Sequence, residues 1–179
     1  MKNRDEIKAI QLAAYRQPSY WARKVFLTIE LVPDHTTVLA KVDYEHNPGH
    51  DHSLHLNGKD LRLTSLKVNG VGQDLDTFFH DAEHLHLENL PEKFFLEIAT
   101  DLCPKNNTAL EGLYLSRGAF FSQCESQGFR RFTYYLDRPD VMAEFETTIR
   151  ANKAQYPVLL SNGNLVETKD LSNGRHEVR

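Results

Sequence analysis

The feature that most constrains this chain is a period of two in its apolar residues. Val25, Leu27, Ile29 and Leu31 alternate between Arg23 and Val32, and Val38, Ala40, Val42 and Tyr44 do so between Thr37 and Tyr44. Shorter runs follow in Leu54 and Leu56, Leu61 and Leu63, Leu66 and Val68, Leu85 and Leu87, and Phe94, Leu96 and Ile98. Late in the chain Ala143, Phe145, Thr147, Ile149 and Ala151 oppose Glu144, Glu146, Thr148 and Arg150. Successive side chains of a strand point to opposite faces, so this spacing predicts strands with one face buried and one wet. Asn-Gly recurs four times, at 57–58, 69–70, 162–163 and 173–174. Both residues tolerate the positive φ of a type I′ turn, whose twist matches two hairpin strands. Together these signals predict an all-β fold, an antiparallel β-sandwich with little helix, in a single domain spanning residues 1–179. Helix signals are confined to the stretch through Ala14, before Pro18, and to a single turn at Asp137–Asp140.

Charge removes several functions. Lys and Arg number 21 against 25 Asp and Glu, a net charge of -4, so there is no basic excess for nucleic acid and no polybasic membrane anchor. A domain of this length buries roughly 70% of the surface its unfolded chain exposes and needs no metal or disulfide staple. Cys103 and Cys124, the two cysteines, form no disulfide framework and no C-x-x-C pair. No apolar run approaches 18 residues, and the mixed-charge start Met1–Glu6 is no signal peptide; the expected compartment is the cytoplasm. Gly174–Arg179 reads as a strand begun after a turn and then cut, so the chain is expected to be part of a longer one.

Nine histidines raise the question of a metal. His46, His50, His52 and His55 crowd one segment around Asn47-Pro48-Gly49, yet no Cys partner or regular spacing accompanies them, and a polar surface loop explains them as well. His80-Asp81-Ala82-Glu83-His84 fits the inverted zincin pattern, which requires a helix to bring both histidines to one zinc. Here His84-Leu85-His86-Leu87-Glu88 alternates with period two; an extended strand would hold His80 and His84 about 13 Å apart, four residues at ~3.3 Å each. No metal ligand in this chain is expected from either segment. Gly70-Val71-Gly72 lacks a third glycine and a following helix, and G-x-S-x-G is absent.

The densest segment runs from Phe120 to Phe145. It contains Gln123-Cys124-Glu125, Gly128-Phe129-Arg130-Arg131, Tyr134-Tyr135-Leu136-Asp137-Arg138-Pro139-Asp140, and then Ala143 and Phe145. From the residues alone, a Glu beside arginines and aromatics is open to a plain structural reading, an ion pair holding a loop. The segment, however, resembles the zinc aminopeptidases of the gluzincin clan. Their pattern is Gln-x-Glu, an Arg five residues after the Glu, Asp-x-Pro seven beyond that Arg, then Ala and Phe; Gln123, Glu125, Arg130, Asp137, Pro139, Ala143 and Phe145 fill these places. The flanks, Asn107–Tyr114 and Tyr156–Asn164, are similar to the bacterial aminopeptidase N (alanyl aminopeptidase) group. Cys124 stands where an aromatic is frequent, and Tyr134-Tyr135 where a Pro-containing pair is.

The resemblance implies the saddle-like N-terminal β domain of a four-domain enzyme that removes Ala and other residues from peptide N-termini. The zinc of such enzymes, held by H-E-x-x-H, and the Gly-Ala-Met-Glu-Asn segment lie in a following thermolysin-like domain; neither motif occurs in these 179 residues. The resemblance therefore implies no catalytic residue and no cofactor in this chain, which would be inert alone. It implies that Gln123 and Glu125 bind the free α-amine of the peptide, with the thermolysin-like domain of the same polypeptide as partner. Alternation places Gln123 and Glu125 on one side of an extended segment, with Cys124 turned into packing. Arg130, Asp137 and Pro139 read as supports of that loop. The alternative is a stand-alone β-sandwich binding module that uses its His-rich loop.

Overall fold

The structure, a computed structural model, describes residues 11–75, 79–81 and 83–179, with side chains other than those of Phe79 and His80. Thirteen strands are present among these residues, and the only helical pieces are single 3-10 turns such as Leu12–Ala14 and Phe129–Arg131. The part of the predicted N-terminal helix before Gln11 lies outside the described residues. None of the described helices is long and apolar enough to cross a membrane.

An eight-stranded sheet forms the body. Its central strands are β1 (Tyr20–Glu30), β2 (Thr36–His46) and β8 (Lys93–Leu102). Around them lie β4 (Arg62–Val68) and β5 (Val71–Gly72) on one side, and β11 (Glu144–Asn152), β13 (Arg175–Val178) and β12 (Thr168–Asp170) on the other. The period-two pattern becomes rows of side chains running across the strands. Val25, Val42, Leu96 and Val68 are register partners in one row; Leu27, Ala40, Ile98 and Leu66 form the next. Such directly opposed apolar pairs are the unit of sheet stabilisation. Val25, Val38, Ala40 and Leu96 are fully buried.

Two details depart from simple alternation. A bulge between Ala22 and Lys24 shifts the register, so the buried residues of β1 change from Tyr20 and Ala22 to Val25, Leu27 and Ile29. An inserted residue reverses the parity of everything after it. The sheet is also not antiparallel throughout: β1 pairs in parallel with β11, a partner more than a hundred residues away that short-range alternation cannot orient.

A three-stranded sheet of β3 (Leu54–Asn57), β7 (His84–Leu87) and β6 (Phe79–His80) joins the same apolar core through Leu54, Leu56, Leu85 and Leu87. The hairpin of β9 (Gly112–Ser116) and β10 (Ala119–Gln123) stands as a separate two-stranded sheet. Of the four Asn-Gly pairs, 69–70 and 173–174 have positive φ at both residues, as a type I′ hairpin requires, and link β4 to β5 and β12 to β13. Asn57-Gly58 does not turn a hairpin. Asn57 exchanges two backbone bonds with Tyr135, N to O at 2.8 and 2.9 Å, and a Cβ at position 58 would fall 2.4 Å from the Tyr134 ring. Glycine there permits a close approach.

Strand β13, one in from the sheet edge, is held by ions. Glu177, buried, accepts from Arg150 Nε at 2.5 Å and Lys169 Nζ at 2.8 Å, and Arg150 also reaches Glu30 at 2.8 Å. The bonds from Lys169 and Arg150 hold the Glu177 carboxyl below its ordinary value. A depressed carboxyl stabilises the fold above its unfolded pKa, near 4.5, and that contribution is lost as pH falls through the lower folded value. Glu177→Gln should therefore flatten the fall in urea midpoint between about pH 5 and 3 relative to the parent chain; an unchanged slope would refute this linkage. In the core, Leu96→Ala should cost about 2–5 kcal/mol in urea unfolding. Leu39→Ala, on β2 but 43% exposed, should cost under ~1 kcal/mol.

Candidate functional site

The Gln-x-Glu segment leaves the regular sheet at a defined point. Gln123 is the last residue of β10 and pairs with Gly112 across the hairpin. That hairpin turns at Arg117-Gly118, both with positive φ; Leu113, Leu115, Phe120 and Phe121 around Arg-Gly were the available signal for a pair of strands that alternation elsewhere overshadowed. After Gln123 the chain makes a turn over residues 125–128 and enters the 3-10 turn Phe129–Arg131.

The loop closes on itself tightly. Gly128 N–H donates to the Cys124 carbonyl at 2.7 Å. A Cβ at position 128 would lie 2.5 Å from the Gln123 carbonyl oxygen and 2.8 Å from Cys124 Cα, so backbone approaches backbone where only glycine fits. Cys124 packs against the core, and Gln123 and Glu125 are exposed on either side of it; the extended segment that alternation predicts stops at Gln123, and Glu125 opens the turn. The Gln123 side-chain amide donates to the Glu125 carbonyl oxygen at 3.3 Å. The Glu125–Ser126 peptide is cis.

Arg130 and Asp137 clamp the far end. The backbone N–H and Nε of Arg130 donate to Asp137 Oδ2 at 3.2 and 2.8 Å, and Nη2 donates to the Asp137 carbonyl at 3.1 Å. Both side chains are largely buried, so these residues support the loop. Pro139 sits in the turn that follows, where Arg138 holds Asp140 at 2.6 Å. Next door, the buried Arg131 pairs with Asp60 and with Glu111 at 3.2 Å.

Beside the loop is a cleft of about 370 Å³ lined by Lys59, Glu83, His84, Glu111, Glu125 and Arg130, among others. Its wall is fixed by backbone bonds from Gly58 to Glu83 and from Lys59 to Arg130, at 2.8 and 2.9 Å. Three carboxylates thus share one opening. Glu111 is engaged by Arg131, whereas the Glu125 carboxylate has no hydrogen-bond or ion-pair partner among the described residues. Gln123 does not line the cleft.

The inverted zincin segment is neither a helix nor one strand. His80 ends β6 and His84 begins β7, antiparallel neighbours in a hairpin. Asp81 organises the turn, its Oδ1 accepting the N–H groups of Glu83 and His84, both at 2.7 Å. Those bonds, first that of Glu83, hold the Asp81 carboxyl below its usual value. His84 Nδ1 faces the same Asp81 oxygen at 3.3 Å. The His80 side chain and Ala82 lie outside the described residues. The 13 Å single-strand distance thus gives way to a hairpin, which likewise lacks the helical face that zincin chemistry needs.

Residues 17–179 match the Peptidase M1 N-terminal domain. The chain belongs to that family. It is 46% identical over 165 residues to aminopeptidase N of Escherichia coli (strain K12), covering 92% of this chain and 19% of the relative. Identity to aminopeptidase N of Haemophilus influenzae is 40% over 167 residues, again 92% of this chain and 19% of the relative. Among solved structures, Legionella pneumophila aminopeptidase A in complex with aspartic acid superposes with a TM-score of 0.87 at 35% identity, over 94% of this chain and 20% of that one. An M1 zinc metallopeptidase of Deinococcus radiodurans shares the fold, with a TM-score of 0.72 at 15% identity over 89% of this chain and 38% of that one. The chain therefore spans about a fifth of the length of these aminopeptidase N relatives.

Within this M1 N-terminal domain, Cys124 gives a chemical handle on the loop. Burial, and secondarily Asp137, push its thiol up to about 11 from an ordinary value of 9.0. The thiol stays neutral at physiological pH and is a poor nucleophile. Iodoacetamide at pH 8 should modify Cys124 at least about tenfold more slowly in the native chain than in urea, read by peptide mass spectrometry. Equal rates would mean that the loop does not hold Cys124 in packing.

Proposed function

We propose that this chain is the non-catalytic N-terminal β domain of a zinc aminopeptidase. In this reading Glu125 binds the free α-amine of a peptide substrate and Gln123 assists. The observation that carries it is the unpartnered Glu125 carboxylate at the mouth of a cleft, on a loop whose own support comes from Arg130, Asp137 and Gly128. A carboxylate that bears no structural load is free to take a ligand.

The chemistry suits an N-terminal amine. Its pKa of about 7.7–8.0 leaves it mostly ammonium near neutrality, which calls for carboxylate acceptors, and a Gln carbonyl adds an acceptor without a second negative charge. Holding the amine at a fixed place relative to a reacting centre admits one residue before the scissile bond, a gain by positioning. An acylated N-terminus would leave Glu125 without its partner.

In such an enzyme the zinc supplies the activation of water, and its ligands lie outside this chain, which has no H-E-x-x-H sequence. The catalytic domain of the same polypeptide is the natural partner. Large apolar side chains left exposed between residues 142 and 166, including Met142 (83%), Val158 (70%) and Leu160 (83%), fit a surface that further chain covers. Relatives support the substrate class: the Deinococcus enzyme was crystallised bound to a Tyr-Ser-Ala substrate and the Legionella enzyme with aspartic acid. The compartment fitting this reading is the cytoplasm, with a role in peptide breakdown.

The test is Glu125→Ala in the complete enzyme. Removing one partner of a desolvated charge pair costs roughly 3–5 kcal/mol, about 10²–10⁴-fold in kcat/KM on an alanine anilide. A loss below tenfold, in a variant that retains zinc and fold, would sink the assignment.

A further inference from the structure

Away from the cleft, the structure gathers part of the His-rich segment. His46 ends β2, His52 follows the turn after it, and Glu92 precedes β8. One ligand atom from each of the three lies within 4.8 Å of the other two. His46 Nδ1 is 3.2 Å from one Glu92 oxygen, and His52 Nε2 is 3.7 Å from the other. The two rings are stacked, centroids 4.2 Å apart and planes 7° from parallel.

The other nitrogen of each ring decides what these atoms are. His46 Nε2 faces two backbone carbonyls, of His50 at 3.2 Å and Asp51 at 3.3 Å. A carbonyl only accepts, so Nε2 carries the proton. His52 Nδ1 faces the Leu90 carbonyl at 3.0 Å, with the Tyr20 hydroxyl at 3.3 Å donating to that same carbonyl at 3.0 Å; there too the ring nitrogen is the donor. In the neutral tautomer so fixed, His46 Nδ1 and His52 Nε2 present bare lone pairs, and both turn them toward a carboxylate. Three acceptors then converge, and a cation between them would satisfy all three.

We propose that His46, His52 and Glu92 form a site for a zinc-class divalent metal ion, remote in sequence from the Gln-x-Glu loop and independent of its role. Two imidazoles and one carboxylate are an ordinary zinc donor set. An imidazole donating its far N–H to a backbone carbonyl is the usual outer support of a metal-bound histidine. His46 is buried and fixed by its own backbone bond to the Glu92 carbonyl at 2.7 Å. His52 and Glu92 are exposed enough, 47% and 71% of the side chain, to swing the short distance to tetrahedral spacing. The ion would pin residues 47–52 to the strand entry at Glu92. This revises the expectation of a plain polar loop: His46 and His52 belong to the site, while His50 contributes only its carbonyl and His55 lies against His86, ring centroids 3.8 Å apart.

The test is titration of the 179-residue chain, stripped with chelator, with Zn²⁺ by calorimetry and thermal unfolding. The expected result is one equivalent bound at low-micromolar Kd or tighter, with Tm raised by about 4 °C or more at a hundredfold excess over Kd. His52→Ala and Glu92→Gln, exposed positions that leave the core intact, should each weaken Kd at least tenfold with little effect on the metal-free Tm, whereas His55→Ala should change neither. No saturable binding below about 100 μM, or binding that survives His52→Ala and is lost in His55→Ala, would overturn the site. Protonated histidines paired with Glu92 in its place would show as stability that depends on pH and not on zinc.

Discussion

The whole arrangement depends on covering the apolar face of the large sheet, and a segment of no regular secondary structure contributes much of that cover. Phe132, Thr133, Tyr134, Tyr135 and Leu136 are all buried. Thr100 in β8 donates its hydroxyl to the Phe132 carbonyl at 2.7 Å, within the core. Tyr135 adds a bridge to β3 through Asn57, and the Tyr134 hydroxyl reaches the Asp81 carbonyl at 2.9 Å in the β6–β7 turn. One extended stretch thus ties the large sheet, the small sheet and the hairpin turn together. Buried backbone must find partners, and here it borrows them from Thr100 and Asn57.

That plug also determines where the Gln-x-Glu loop can be. The loop is strung between β10 and Phe132, and Arg130 grips Asp137 on the far side of the plug. Displacing the base of the loop would therefore require moving Phe132 or breaking a largely buried charge-assisted bond, each costly. The position of a proposed ligand-binding carboxylate is in this way inherited from core packing. The tight turn at Gly128 finishes the job by bringing Gln123 and Cys124 back within contact of the loop's exit.

Much of this was legible in the residues, and the exceptions share a cause. Val38, Ala40, Val42 and Tyr44 declared β2 by alternation alone, and Asn69-Gly70 and Asn173-Gly174 declared their turns. What alternation could not give was long-range pairing: that β1 runs parallel to β11, or that Asn57-Gly58 meets Tyr135 instead of reversing the chain. Arg117-Gly118 carries a weaker turn signal than Asn-Gly, so the β9–β10 hairpin it forms does not stand out in the sequence. Gln123, Glu125, Arg130 and Asp137 were visible as a pattern with Arg130 and Asp137 as its supports, and the structure adds the atoms of the grip, Arg130 Nε and Nη2 on Asp137. Glu92 was invisible as a member of the proposed metal site because nothing in local spacing relates it to His46, forty-six positions earlier; the β2–β8 register brings them together.

The contrast among carboxylates carries the last step. Asp137 and Glu177 are held by cations and lie under the surface, so their charge is neutralised inside the fold. Glu125 is exposed and unpaired, which in water costs little. On the proposed reading, further chain closes over the cleft and the situation changes. An isolated carboxylate loses its hydration there, and the penalty rises to several kcal/mol unless a cation replaces the water. An N-terminal ammonium supplies that cation only when it is free, so closure itself would convert an inexpensive surface charge into discrimination between free and blocked peptide ends.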